Sequence, residues 1–94
     1  MKIVWTYTAQ AHLRAIRLFI DDDNPIAAKQ VVFKIFRSVK QLSSFPESGR
    51  AGRLTGTREF VISGLPYIIS YQIRKDHIEI LQVLHTAMKW PEEF

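Results

Sequence analysis

The sequence contains no cysteine. Disulfides, thiolate metal sites and a cysteine nucleophile are therefore excluded. No apolar run approaches the roughly 18 residues that a membrane-spanning helix needs. Met1-Lys2-Ile3-Val4-Trp5-Thr6 lacks a signal-peptide pattern, because the basic residue is followed by only three apolar ones. A cytoplasmic location without membrane contact is the expectation. Repeats and low-complexity tracts are absent. His12 has no Asp or His four residues on to make a metal pair, so it reads as a surface residue of a helix and no metal site is expected. No cofactor is expected.

What is present is ordinary for a folded domain. Hydrophobic residues make up 47% and charged residues 23% of the 94 residues. That composition excludes a disordered chain, and the length predicts one domain spanning residues 1–94. The formal net charge is +4 and the pI about 9.7. The distribution says more than the total. Between Asn24 and Arg58 the cations Lys29, Lys34, Arg37, Lys40, Arg50, Arg53 and Arg58 face Glu47 as the only acid. The acids gather at Asp21-Asp22-Asp23 and Glu92-Glu93. Such polarity steers a protein toward an anionic partner, either nucleic acid or an acidic protein segment.

Ile3 to Tyr7 is short, apolar and β-prone, and predicts a first strand. Thr8 is positioned to cap a helix, on which Leu13, Ile16 and Ile20 share one face. The three aspartates should end that helix, since Asp is a poor interior residue. Asn24-Pro25 starts a second helix, with a strong cap and a proline where its missing N–H costs nothing. Ala28, Val31, Ile35, Val39 and Leu42 form its core stripe, while Lys29, Lys34, Arg37 and Lys40 mostly face away. From Ser43 to Gly56 the pattern breaks into a loop containing Pro46, Gly49 and Gly52. It is long for so small a domain, and long loops are often functional.

Three strands follow, at Thr57–Ser63, Tyr67–Arg74 and His77–His85. Lys75-Asp76 forms a two-residue hairpin connection that pairs Arg74 with His77 and Gln72 with Glu79. Alternation places Tyr67, Ile69, Tyr71, Ile73, Ile78, Ile80 and Leu84 on the helix-facing side. Ser70, Gln72, Arg74, His77, Glu79 and His85 fall on the other side, with Ile68, Leu81 and Val83 between them. The expected fold is α+β, in the order β-α-α-β-β-β. A helical hairpin packs on a mainly antiparallel four-stranded sheet whose first strand lies at an edge.

A series of short segments then carries a resemblance. Trp5-Thr6 precedes an alanine-containing helix, and Asp23-Asn24-Pro25-Ile26-Ala27-Ala28 opens the next. Phe45-Pro46-Glu47-Ser48-Gly49-Arg50 leads to Gly56-Thr57-Arg58-Glu59-Phe60. Gly64-Leu65-Pro66-Tyr67-Ile68-Ile69, Tyr71, Arg74, Glu79-Ile80, Val83-Leu84-His85 and Trp90-Pro91 follow. In that order, over almost the whole chain, they resemble the RelE/ParE toxins of plasmid-stabilisation and type II toxin–antitoxin modules. The resemblance implies a growth-inhibiting toxin silenced by a cognate antitoxin protein. It also implies one of two targets. RelE-like members cut messenger RNA on the ribosome, and ParE-like members poison DNA gyrase.

The residues bear on that choice. Metal-free RNA cleavage needs a proton acceptor for the 2′-hydroxyl, charge stabilisation at phosphorus and a proton donor for the 5′-oxygen. His85 is the acid–base candidate. Arg58 and Arg74 would complete a nuclease set, and Glu47 or Glu79 could supply a second acid–base group. Arg50, Arg53 and Arg58 form the candidate target- or phosphate-binding set, since guanidinium clamps phosphate bidentately. The plainer alternatives are a strand-end role for His85 and a turn position for His77. RelE-like nucleases often carry a late aromatic, usually Tyr. Here Thr86-Ala87 follows His85, and the late aromatics are Trp90 and Phe94. The long helical hairpin and the Trp90-Pro91 tail are more like ParE, so gyrase is the favoured target and the ribosome-bound messenger the alternative. A plain RNA-binding module would want an exposed aromatic platform, whereas Tyr67 and Tyr71 fall on the core face.

Overall fold

A computed structural model describes residues 1–87. The elements are β1 (Lys2–Trp5), α1 (Tyr7–Asp23), α2 (Pro25–Ser44), a one-turn 3-10 helix (Pro46–Ser48), β2 (Arg50–Ala51), β3 (Arg58–Val61), β4 (Tyr67–Ile73) and β5 (His77–His85). They build a five-stranded sheet in the order β1-β5-β4-β3-β2, with the two helices packed on it. β1 is the predicted edge strand and runs parallel to β5, while every other pair is antiparallel. The fifth strand, β2, is two residues cut from the expected loop. It pairs Arg50 with Glu59 and Ala51 with Arg58.

Helix starts and stops follow side-chain chemistry. Thr6, rather than Thr8, caps α1: its Oγ1 accepts from the Ala9 N–H at 3.2 Å. The same hydroxyl donates to the Ile80 carbonyl at 2.7 Å, tying the helix start to β5. α1 ends on the three aspartates, with Asp23 its last residue. Asn24 is the actual boundary and serves both helices. Its N–H donates to the Ile20 carbonyl, and its Oδ1 accepts from the Ala27 N–H at 3.1 Å. The aspartates end up beside the positive N-terminus of α2, which offsets their poor propensity.

The hairpin joining β4 and β5 has the expected register near its turn, with Gln72 opposite Glu79 and an Arg74 N–H to His77 carbonyl bond of 2.8 Å. Beyond Tyr71 the register shifts, and Leu81 has no partner on β4. This bulge reverses the facing of the rest of β5. Val83, not Leu84, stands opposite Ile69 and joins the helix-side cluster, Leu84 is buried opposite Ile68 on the other face, and His85 stands opposite Tyr67 on the helix side. The core comprises Ala9, Ile35, Val39, Leu42, Ile62, Tyr67, Ile69, Tyr71, Ile78, Ile80 and Val83.

His12 departs from its expected surface position. It is half-buried, and its Nδ1 accepts the Val83 N–H at 3.2 Å, just past the bulge where β1 no longer covers β5. The helix thus supplies by a side chain the acceptor that a neighbouring strand would have given. Burial lowers the His12 pKa below its ordinary 6.5. The unfolded chain therefore binds more protons in the window just below 6.5, and stability is present above that value and lost as pH falls through the lowered one. A His12→Asn variant keeps an acceptor but cannot titrate. Its melting temperature is expected to fall less than that of the parent between neutral pH and mild acid. Equal slopes for the two proteins would contradict the role given to His12.

Candidate functional site

The basic loop is built around two buried anchors. The first is Tyr71, fully buried on β4. Its hydroxyl donates to the Pro46 carbonyl at 2.7 Å and accepts the Gly49 N–H at 2.9 Å. Burial raises its pKa, so the hydroxyl stays a neutral donor. The second is Glu59, only 4% exposed. Its carboxylate accepts from the Arg50 guanidinium at 3.3 Å and from the Arg53 backbone N–H at 3.1 Å. Arg58 reaches back to the Gly49 carbonyl at 2.8 Å and the Glu47 carbonyl at 3.3 Å. The Pro46–Arg50 segment is thereby pinned, and Arg50, Arg53 and Arg58 are gathered at one margin of the sheet.

The nuclease candidates are not gathered. His85 lies edge-on to Tyr67 at 5.5 Å between ring centroids, and its Nδ1 accepts the Ala87 N–H at 3.1 Å. Arg74 sits at the other end of β5, ion-paired to Glu79 at 3.2 Å. The eight-residue separation of His77 from His85 along that strand corresponds to roughly 26 Å at about 3.3 Å per residue. Arg58 is in register, through Tyr71, with Ile80, five positions short of His85. Glu79 is occupied by Gln72, at 2.6 Å, and by Arg74, and both hold its pKa below the usual carboxylate value. His77 is bound to Asp76 at 2.7 Å beside the turn. Among the described residues no cluster of three or more His, Asp or Glu side chains is placed to hold a metal ion. The Trp90-Pro91 tail and Phe94 lie outside the described residues.

Two features were not foreseen from the sequence. Glu59 was passed over, although alternation with Phe60 places it beside Ser70 and Gln82 in a buried polar row across β3, β4 and β5. The second is a groove of about 520 Å³ between α2 and β3. Phe33, 64% exposed, and Val61, 46% exposed, supply apolar walls, with Phe60 alongside and Lys34 and Arg37 as cations. An i, i+4 spacing of Phe33 and Arg37 was the available signal. No helix among the described residues is long and apolar enough to cross a membrane.

A helical hairpin on a mostly antiparallel sheet, with a pinned basic loop and an apolar groove rimmed by cations, is the α+β frame that the resemblance to RelE/ParE toxins implied. The comparisons with known proteins narrow that class. The family described as ParE toxin of type II toxin-antitoxin system, parDE, matches residues 3–90. A protein of Sinorhizobium fredii described as "Putative toxin Y4kP" is 44% identical over 91 residues, covering 97% of this chain and 94% of that protein. Toxin RelE2 of Caulobacter vibrioides is 34% identical over 86 residues, covering 92% and 96%. A solved structure, the chromosomal ParDE TA system from P. aeruginosa, superposes with a TM-score of 0.83 at 26% identity, covering 90% of this chain and 95% of that one. The chain belongs to the ParE toxin family of type II toxin–antitoxin systems. Membership of that family implies a cognate antitoxin of the ParD kind as partner.

Proposed function

We propose that this toxin stops growth by binding DNA gyrase rather than by cutting messenger RNA. The observation that carries the reading is the dispersal of the acid–base and phosphate-clamping candidates. Metal-free phosphodiester cleavage needs its proton carriers and its cationic clamp within hydrogen-bond reach of one phosphate. His85, Arg58 and Arg74 stand on separated parts of the sheet, and each is engaged locally. Inhibition by docking needs surface complementarity only, which the Arg50, Arg53 and Arg58 margin offers to an acidic patch. The name of the Caulobacter relative, toxin RelE2, supports the second reading, cleavage of ribosome-bound messenger. Purified toxin added to gyrase and supercoiled DNA, and separately to translating ribosomes, tests both. Trapped, cleaved DNA with intact messenger is the expected result. Cut messenger with unaffected gyrase would overturn it.

We infer a site for the antitoxin as well. The groove between α2 and β3 suits an amphipathic segment with apolar anchors against Phe33 and Val61 and acids opposite Lys34 and Arg37. Exposed ion pairs of this kind are screened over about 8 Å at physiological ionic strength. The affinity of toxin for antitoxin is therefore expected to fall as salt is raised, and Arg37→Ala to flatten that dependence. A complex indifferent to both changes would remove the groove from the contact.

A further inference from the structure

We propose that the outer face of α1 is the contact surface of a two-fold homodimer of this toxin. The face is unpartnered within the chain. Ala11, Arg14, Ala15, Leu18, Asp21 and Asp22 are all exposed, and Leu18 and Phe19 are 69% and 79% exposed. Scattered exposed apolar residues need no explanation, but here they sit at the midpoint of a charge pattern. Arg14 lies four residues on the N-terminal side of Leu18, and Asp21 and Asp22 lie three and four residues on the C-terminal side, at nearly equal spacing. At about 1.5 Å rise per residue, Arg14 lies roughly 6 Å to one side of Leu18 and Asp22 roughly 6 Å to the other.

An antiparallel second copy turned about a two-fold axis at Leu18 therefore makes the pattern self-complementary. Leu18 meets its counterpart at the centre, and Phe19, about 100° round the helix, lies at the margin of the contact. Arg14 of each copy meets Asp21 and Asp22 of the other, so the contact repeats on both sides, as an isologous interface requires. Ala11 and Ala15 keep the face thin enough for close approach. With helix axes about 8–10 Å apart and Cα atoms on a cylinder of about 2.3 Å radius, facing Leu18 Cα atoms come within roughly 3–5 Å. The groove between α2 and β3 is a separate surface and remains open in such a dimer. A single helix face falls in the small class of specific interfaces, below about 1,200 Å² in total, so the association is weak and must be sought at high protein concentration.

The absence of native cysteine makes the test clean. Leu18→Cys places one thiol per chain on the proposed axis, at a separation that a disulfide can bridge. Lys40→Cys, on an exposed position of α2, is the collision control. Under mild oxidation of the purified full chain, Leu18→Cys is expected to cross-link at least about a hundredfold faster, because an interface holds its thiols at millimolar effective concentration. Sedimentation of the unmodified toxin should show a concentration-dependent dimer. Arg14→Glu should weaken it, as should Asp21→Arg with Asp22→Arg, and the three changes together should restore it. Equal cross-linking rates at the two positions, or a monomer at every concentration, would overturn the proposal. So would loss of antitoxin binding in Leu18→Asp without any change in self-association, which would assign the face to the antitoxin. The circular dichroism of each variant separates these outcomes from misfolding, and none depends on which target the toxin inhibits.

Discussion

Gly49→Ala is expected to lower the stability of this toxin by about 1–3 kcal/mol, the range for forcing extra atoms into a packed site. For a domain of this size that is a fall in melting temperature of roughly 5–20 °C. The cause is steric. The backbone at Gly49 has φ −75° and ψ 147°, which any residue adopts, so no glycine-only conformation is at stake. A Cβ there would stand 2.6 Å from Tyr71 Oη, 2.8 Å from Tyr71 Cε1 and 3.0 Å from the Glu59 carbonyl oxygen. Neither Tyr71 nor the β3 backbone is free to yield. Tyr71 is held at both ends of its hydroxyl, and Glu59 lies within the β2–β3–β4 pairing. A stiffer unfolded chain returns about 0.4–1 kcal/mol at most. Tyr71→Phe is a useful companion. It leaves the Gly49 N–H and the Pro46 carbonyl without their partner, at about 1–3 kcal/mol for an unsatisfied buried group. It also removes the closest clashing atom, so the double variant should lose less than the sum of the two singles. Urea denaturation of all four proteins measures this. Strict additivity, or an unchanged melt in Gly49→Ala, would show that the loop is not pinned by Tyr71.

The same contacts explain what the sequence could and could not announce. The Asn24-Pro25 boundary, the α2 stripe through Ile35 and Val39, and the pairing of Gln72 with Glu79 follow from local rules, namely capping, periodicity and turn length. The misplacements are where a distant partner decides. Thr6 rather than Thr8 caps α1 because its hydroxyl also satisfies Ile80 across 74 positions. His12 turns inward because the bulge at Leu81 and the end of β1 leave the Val83 N–H needing an acceptor. Period-two counting along β5 predicts Leu84 on the helix-facing side, and one extra residue puts it, still buried, on the other. In the basic loop the residue types were legible and the geometry was not. Three arginines and a glutamate advertise charge, but only the register of β2 on β3 shows that Glu59 holds Arg50 in place. The nuclease set drawn from His85, Arg58 and Arg74 rested on residue chemistry alone, and chain order carries no information on convergence in space.

His85→Gln is expected to leave toxicity, and gyrase-dependent DNA cleavage, within about twofold of the parent, the scale of a surface substitution near 0.5 kcal/mol. A nuclease that used His85 to move a proton would instead lose roughly a hundred- to ten-thousand-fold in rate. The two readings therefore differ by at least an order of magnitude on one substitution. The geometry favours the smaller effect. The imidazole Nδ1 is engaged by the Ala87 N–H, and the ring rests edge-on to Tyr67, so its neighbours position it as a strand-end contact. No other ionisable side chain is bonded to it among the described residues. Gln keeps a polar group that can accept the Ala87 N–H, while its amide has no proton to exchange near neutral pH. A thermal melt of the variant controls for any local loss of packing against Tyr67. The decisive measurement is growth arrest on induction, read beside DNA breaks and messenger integrity in the same cells. Arrest with DNA breaks in both proteins agrees with docking to gyrase. A folded His85→Gln variant that no longer arrests growth, from a parent that cuts messengers on ribosomes, would make His85 a catalytic residue and replace the gyrase reading with the nuclease one.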